Sequence, residues 1–190
     1  MQDPAFDRLA TARLVVRRFE PSDAAAFAAY RSDPDVARYQ GWEAPYAREE
    51  ADRFIASLAS ATPGTPGQWF QFAVGIAPGA ELIGDCALRC RRQDPRQAEL
   101  GFSFARTHQG RGLAAEAVEA LLAYAFTRLD LHRVFALTDA RNVPAQRLLE
   151  RTGFRKEGRF EQAAWFRGSW ASEILYAQLA SEWGGRTGVV

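Results

Sequence analysis

The chain has 190 residues, 24 basic and 23 acidic side chains, a formal charge of +1 and a hydrophobic content of 47%. That length suits one globular domain with a sizeable core, and the balanced charge argues against broad nucleic-acid binding, which needs a basic excess to displace counterions. The longest stretch without a charged side chain, Phe54 to Ala80, is broken by Pro63, Gly64, Pro66, Gly67 and Pro78, so no membrane span is expected.

Along the chain, Ala12 to Phe19 (ARLVVRRF) reads as the first strand. Asp23 is placed to N-cap a helix through AAAFAAYRS, and REEADRFIASLAS reads as a second helix after the turn at Gly41 to Pro45. Three β-rich runs follow: QWFQFAVGI, ELIGDCALRC and QAELGFSFA. Pro78-Gly79 and Gln93-Asp94-Pro95 separate them, which predicts an antiparallel meander. Cys86 and Cys90 lie on the middle run, about 13 Å apart at ~3.3 Å per residue, so they are expected as packed thiols rather than a disulfide. With only His108 and His132 in the chain, no zinc-ligand spacing exists and no metal is expected.

Apolar residues at 113, 114, 117, 118, 121, 122, 125, 126 and 129 form one stripe, predicting a sheet-facing helix from about Leu113 to Leu129. HRVFALTD is a further strand. Asn142 is placed to cap a short helix that carries Pro144 in its first turn and ends at Gly153. Three strand-like pieces close the chain, FRKEGRF, QAAWFRG and WASEILYAQL. This order fits an α+β fold around one sheet better than a doubly wound one.

The chemically informative segment is Gln109-Gly110-Arg111-Gly112-Leu113-Ala114, between a strand and the long helix. Two glycines let the backbone turn tightly and present N–H groups at a helix N-terminus, where an anion such as a pyrophosphate is favoured. A Walker-type loop is excluded because no Gly-Lys-Ser/Thr follows. The dinucleotide fingerprint fails too, because Ala115 stands at the third glycine and no βαβ unit surrounds it.

Here the sequence resembles the GCN5-related N-acetyltransferase (GNAT) superfamily. Its pyrophosphate loop, [QR]-x-x-G-x-[GA], is matched by Gln109, Gly112 and Ala114. NVPAQRLLERTGF (Asn142 to Phe154) is similar to the coenzyme-flanking helix that ends in Gly-Phe. The opening TARLVVRRFEPSDAAAF with Ser32 to Val36, and the closing WFRGSWASEILYAQL, extend the match over about Thr11 to Trp183. The combination looks most like the RimJ/RimL-type branch, whose members include N-terminal acetyltransferases of ribosomal proteins. The resemblance implies a single domain over residues 1–190 with its core at about 11–183. It also implies a mixed, mostly antiparallel sheet splayed at the coenzyme site and flanked by helices.

It further implies acetyl-CoA as cosubstrate and an amine as acceptor, either a protein N-terminus or a small molecule. A homodimer is one assembly option, and neither nucleic acid nor membrane is expected as a partner. The strand ending at Phe102-Ser103-Phe104 would part from the strand Val134 to Asp139, and the pantetheine arm would complete the broken ladder. Amides of Gln109, Gly110, Arg111, Gly112, Leu113 and Ala114 would hold the pyrophosphate, with Asn142 beside the arm. Arg111 and Arg147 are placed to approach phosphates or to sit on a solvated face. The attacking amine must be neutral and the thioester oxyanion needs a donor, which the family takes from backbone N–H near Phe104.

Glu99 is the first candidate for the base and Asp139 the second, each also readable as a carboxylate paired with an arginine. Many members carry a tyrosine as general acid where this chain has Leu149, and the branch often has Asn-x-x-Ser where Ala145 stands here. A strand glutamate of the ribosomal enzymes is replaced by Ala164. The thiolate is then expected to take its proton from water or from the amine. Tyr39, Trp42, Trp165 and Phe166 are candidates for the acceptor pocket, or else ordinary core. Arg89, Arg91, Arg92 and Arg96 cluster at a hairpin turn, readable as a solvated loop or a site for an acidic partner. No charged-then-apolar leader is visible in Met1 to Ala12, so the expected compartment is the cytoplasm. The rival readings are a non-catalytic CoA-binding or interaction module and a nucleotide-phosphate binder, the latter disfavoured because no magnesium-binding Ser or Thr follows the loop.

Overall fold

A computed structural model describes residues 2–184. Its framework is an eight-stranded sheet: β1 (Arg8–Ala10), β2 (Leu14–Arg17), β3 (Trp69–Ile76), β4 (Glu81–Cys90), β5 (Gln97–Phe104), β6 (Arg133–Asp139), β7 (Arg155–Phe166) and β8 (Ser169–Leu179), in the spatial order 1-2-3-4-5-6-8-7. Every neighbouring pair is antiparallel except β5 with β6, which run parallel. The helices are α1 (Ala24–Arg31), α2 (Pro34–Ala37), α3 (Arg48–Leu58), α4 (Leu113–Thr127), α5 (Val143–Arg151) and α6 (Ala180–Trp183). No helix among the described residues is long and apolar enough to cross a membrane.

Alternation along the strands gives the sheet two faces. One is covered by α4 and α5: Phe72, Ile83, Leu88, Leu100, Val134 and Tyr176 from the strands pack with Leu121, Leu122, Ala125 and Leu149 from the helices. The predicted apolar stripe of α4 lies on this core, and Cys86 and Cys90 are buried there as free thiols. A smaller cluster on the other face holds α1 and α3, centred on Phe27, which stacks on Phe54 at 5.3 Å.

Several boundaries differ from the sequence reading. A short strand, β1, precedes the first predicted one and pairs with it. Asp23 does stand before α1, yet its side chain makes no cap bond there. It is buried and takes both guanidinium nitrogens of Arg17 at 2.7 and 2.8 Å, plus the Glu20 amide. An ion pair out of reach of local sequence reading thus replaced a cap. FRKEGRF and QAAWFRG are one strand, β7, because a bulge between Phe160 and Ala164 absorbs the interruption.

Candidate active site

The central feature is a break in the sheet. β5 and β6 pair only through Gln97↔Arg133, Ala98↔Val134 and Glu99↔Phe135, while each stays bonded to its outer neighbour over its further length. Beyond Glu99 and Phe135 the two strands part, so residues 100–104 and 136–139 have no strand partner across the gap. Two carbonyls on the β5 side accept side-chain amides instead, Phe102 from Gln40 Nε2 at 3.3 Å and Phe104 from Gln109 Nε2. An extended chain carrying amides fits such a gap as an added strand does.

The loop after β5 stands at the open end of the gap. Gly110 and Gly112 have φ of +72° and +76°, a region that L side chains rarely adopt. Gly112 immediately precedes α4, and the amides of residues 110–115 make no hydrogen bond to any described residue. They form a row of donors at the positive end of a fifteen-residue helix, suited to a diphosphate. The loop is braced from both sides. Gln109 Nε2 donates to the Phe104 carbonyl at 2.9 Å, and Arg13 Nη1 donates to the Arg111 carbonyl at 3.1 Å. Glu116 in the first turn accepts from the Thr11 hydroxyl and from Arg13. Partial burial raises its carboxyl pKa, but these bonds outweigh that and hold it below the usual range.

A pocket of about 180 Å3 occupies the gap. Leu100, Gly101 and Phe102 form one side, and Ala136, Leu137, Thr138 and Asp139 the other. Tyr39 and Gln40 close it from the α2 side, Ala164, Phe166 and Ala171 from the β7–β8 hairpin, and Asn142 with Ala145 and Leu149 from α5. Asn142 caps α5, its Oδ1 accepting from the Ala145 amide at 3.3 Å. All three positions where the sequence departs from the family's acid-bearing pattern, Ala145, Leu149 and Ala164, line this same pocket, giving it an apolar wall.

The structure thus brings Phe102, Asp139, Asn142, Tyr39 and Phe166 together. Phe104 and Leu113 are buried in the core at the root of the loop, so only their backbone is available to a ligand. Ala114 is partly buried, while Arg111 and Arg147 are exposed. Two aromatic candidates lie elsewhere. Trp165 is 63% exposed and packs edge-on against Trp170, on the outer part of the hairpin. Trp42 lies over the Arg31 guanidinium at 3.9 Å, opposite Phe27 at 4.0 Å, and its indole N–H donates to the Arg31 carbonyl. Arg31 in turn lies 3.9 Å from the buried Asp85, which accepts from Tyr30 and Gln71. Burial pushes both the Asp85 carboxyl and the Tyr30 phenol up. This network pins α1 to the sheet and explains why Trp42 is structural.

The two proposed bases are both paired. Glu99 does not line the pocket. It sits just before the strands part and is ion-paired with Arg89. Asp139 does line it, but Arg141 holds it through two side-chain contacts at 2.9 and 2.6 Å and a backbone N–H at 2.8 Å, so its carboxyl lies below the usual range. Sequence reasoning missed Glu173. It stands directly opposite Asp139 on β8, lines the pocket, and its carboxylate has no hydrogen-bond or ion-pair partner among the described residues. The one available signal was its place in the closing WASEILYAQL strand, where alternation puts it on the same face as Asp139. Among the described residues no three His, Cys, Asp or Glu side chains gather as a metal would require.

Residues 13–155 match the acetyltransferase (GNAT) domain family. An uncharacterized N-acetyltransferase p20 from Bacillus licheniformis is 31% identical over 179 residues, covering 94% of this chain and 99% of that protein. A GNAT-family acetyltransferase of Bacillus anthracis superposes with a TM-score of 0.82 at 29% identity, covering 92% of this chain and 99% of the other. Two further likenesses differ in acceptor. The ribosomal protein uS5 alanine N-acetyltransferase of Escherichia coli is 33% identical over 84 residues, 44% of this chain and 43% of that one. Spermidine N-acetyltransferase from Vibrio cholerae, in complex with CoA and spermine, superposes with a TM-score of 0.76 at 25% identity over 91% of this chain and 99% of that one. The parted strands, the glycine loop at a helix start and these likenesses converge, and the chain belongs to the GNAT acetyltransferase family.

Proposed function

We propose that the protein transfers an acetyl group directly from acetyl-CoA to a primary amine in the pocket between β5 and β6. The observation that carries this reading is the gap itself, a broken ladder leading from a row of free amides at residues 110–115 to a pocket that holds a carboxylate. Backbone groups of Phe102 and Phe104 would bond the pantetheine amides, and Gln109 to Ala114 with Asn142 would hold the diphosphate and arm. The Gln40 side chain on the Phe102 carbonyl would be displaced as the arm enters.

The neutral amine attacks the thioester carbon, a backbone N–H of β5 stabilises the oxyanion, and the C–S bond breaks to release CoA thiolate. The ammonium formed must lose a proton. Of Glu99, Asp139 and Glu173, Glu173 is assigned that proton, because Asp139 is committed to Arg141 and Glu99 to Arg89. No acidic side chain faces the leaving sulfur from α5, so CoA leaves as the thiolate and takes its proton from water.

Acceptors among the relatives include a ribosomal protein terminus and a polyamine. Thiol release from acetyl-CoA, with a panel of peptides starting in Ala or Ser, polyamines and amino acids, tests the reading. Release with one class supports it, and silence with CoA bound would refute it. With the best acceptor, Glu173→Gln should lower kcat about a hundredfold, while Glu99→Gln should change kcat much less. The reverse order would return the base to Glu99.

A further inference from the structure

The arginine cluster at the β4–β5 turn takes no part in the transfer described above. In the fold three of its members, Arg89, Arg91 and Arg92, line a groove of about 550 Å3 on the same face of the sheet as Glu99 and Asp139, while Arg96 pairs with Asp94 outside it. The floor is apolar and includes Phe135, Leu137 and Phe160, with Leu137 and Phe160 40% and 45% exposed. Arg89, Arg91, Arg92 and Arg133 form the wall. Glu99 compensates Arg89, and Glu157 compensates Arg133. Arg91 and Arg92 form no ion pair with any described residue, although Arg91 lies over the Phe135 ring at 6.0 Å. Leu137 lines the transfer pocket as well, so groove and pocket are one continuous surface.

Resting on the transfer reading above, we propose that the acceptor is a peptide N-terminus whose third to fifth residues are acidic. The argument is one of reach. Arg91 donates its N–H to the Gln97 carbonyl at 2.8 Å, so it stands beside Gln97, while the pocket starts at Leu100 and Gly101. The four residue steps from Gln97 to Gly101 span about 13 Å at ~3.3 Å each. The carboxylate of a free amino acid, two bonds from its amine, cannot bridge that interval. An extended peptide with its amine in the pocket reaches it at about the fourth residue. Alternate side chains would rest on the apolar floor, as in other strand-like peptide recognition. A polyamine would meet the uncompensated arginines with like charge. Two such arginines are too few to track a nucleic-acid backbone, whose binding grows with the number of phosphates neutralised.

Fluorescence anisotropy on the full chain with CoA bound tests this without relying on turnover. Three C-terminally labelled peptides share their first two residues and carry Glu, Ala or Lys at positions three to five. The Glu peptide should bind about five- to tenfold more tightly than the Ala peptide, with Lys weakest. In the double variant Arg91→Glu, Arg92→Glu that order should reverse. If the variant does not fold, the unaltered protein still decides, because the Glu preference must collapse at high salt. Equal affinities, a Lys preference, or tighter binding of a labelled single-stranded RNA would overturn the proposal. Glutamate preference without thiol release would keep the groove as an acidic-peptide site but refute the transfer reading and with it the peptide's role as acceptor; thiol release from all three peptides alike would sustain transfer and overturn the acidic preference.

Discussion

The two faces of the sheet solve different problems with different parts of the chain. On the face under α4 and α5 the side chains are apolar and closed to solvent, and what a ligand would meet there is backbone: the free amides after Gly110 and the parted edges of β5 and β6. On the opposite face the backbone is paired up to the gap, and side chains make the site, with Asp139 and Glu173 beside the pocket and arginines along the groove. On the proposed function, the first face would hold the coenzyme, and the second could change its acceptor by exchanging exposed side chains without disturbing the core.

Deep truncation on the closed face should give the largest loss. Leu121 in α4 is 1% exposed and packs in the main core, so Leu121→Ala should lower unfolding free energy by about 2–5 kcal/mol, read by urea denaturation. A loss below about 1 kcal/mol would show that this face is looser than its burial implies.

Next in size is a change that touches the backbone alone. Valine at 112 would have to adopt φ of +76°, at a cost on the order of 1–3 kcal/mol, which would turn the neighbouring amides, and its Cβ would stand 3.5 Å from Arg13 Nη2, which braces the loop. Gly112→Val should therefore raise the Kd for CoA by about tenfold or more, measured by titration calorimetry. Unaltered affinity would displace the diphosphate from this loop. Because the function proposed for this face lies in the backbone, the experiment separates it from the acceptor face, where side chains make the proposed site.

The same contrast explains what could be read in the sequence. Gln109 to Ala114 and Asn142 were legible because a turn with positive φ demands glycine and a helix start demands a cap, and both leave local signatures. The helix from Leu113 and the three-strand meander were legible from period alone. The acceptor face was not. Trp42 and Trp165 look alike in the sequence, yet one covers Arg31 and the other packs on Trp170 at the surface, because the turn of the chain between each pair, not the tryptophan's own neighbours, decides. Glu173 has no local motif either, and its importance comes from standing opposite Asp139 across two strands. The bulge in β7 hid itself in the same way, since only the partner strand shows that the pairing resumes.

The smallest expected effect concerns Asp139, and it separates pairing from catalysis on the acceptor face. Hydrogen bonds from Arg141 depress its carboxyl pKa in the folded state relative to about 3.9 for an unfolded chain. A depressed carboxyl stabilises the fold above the unfolded value and loses that contribution as pH falls through the folded one. Asp139→Asn should therefore cost stability at pH 7 and cost progressively less below about pH 4, where the unaltered protein loses the same ion pair. Asp139 is 10% exposed but Arg141 is 58% exposed, so solvent screening holds the difference to about 1 kcal/mol or less. Urea denaturation across that pH range gives the comparison, and a gap independent of pH would assign the loss to shape rather than charge. The kinetic readout runs alongside. A pairing residue leaves the kcat of Asp139→Asn far closer to the unaltered enzyme than that of Glu173→Gln, whereas equal losses would make the two facing carboxylates a single proton-accepting unit.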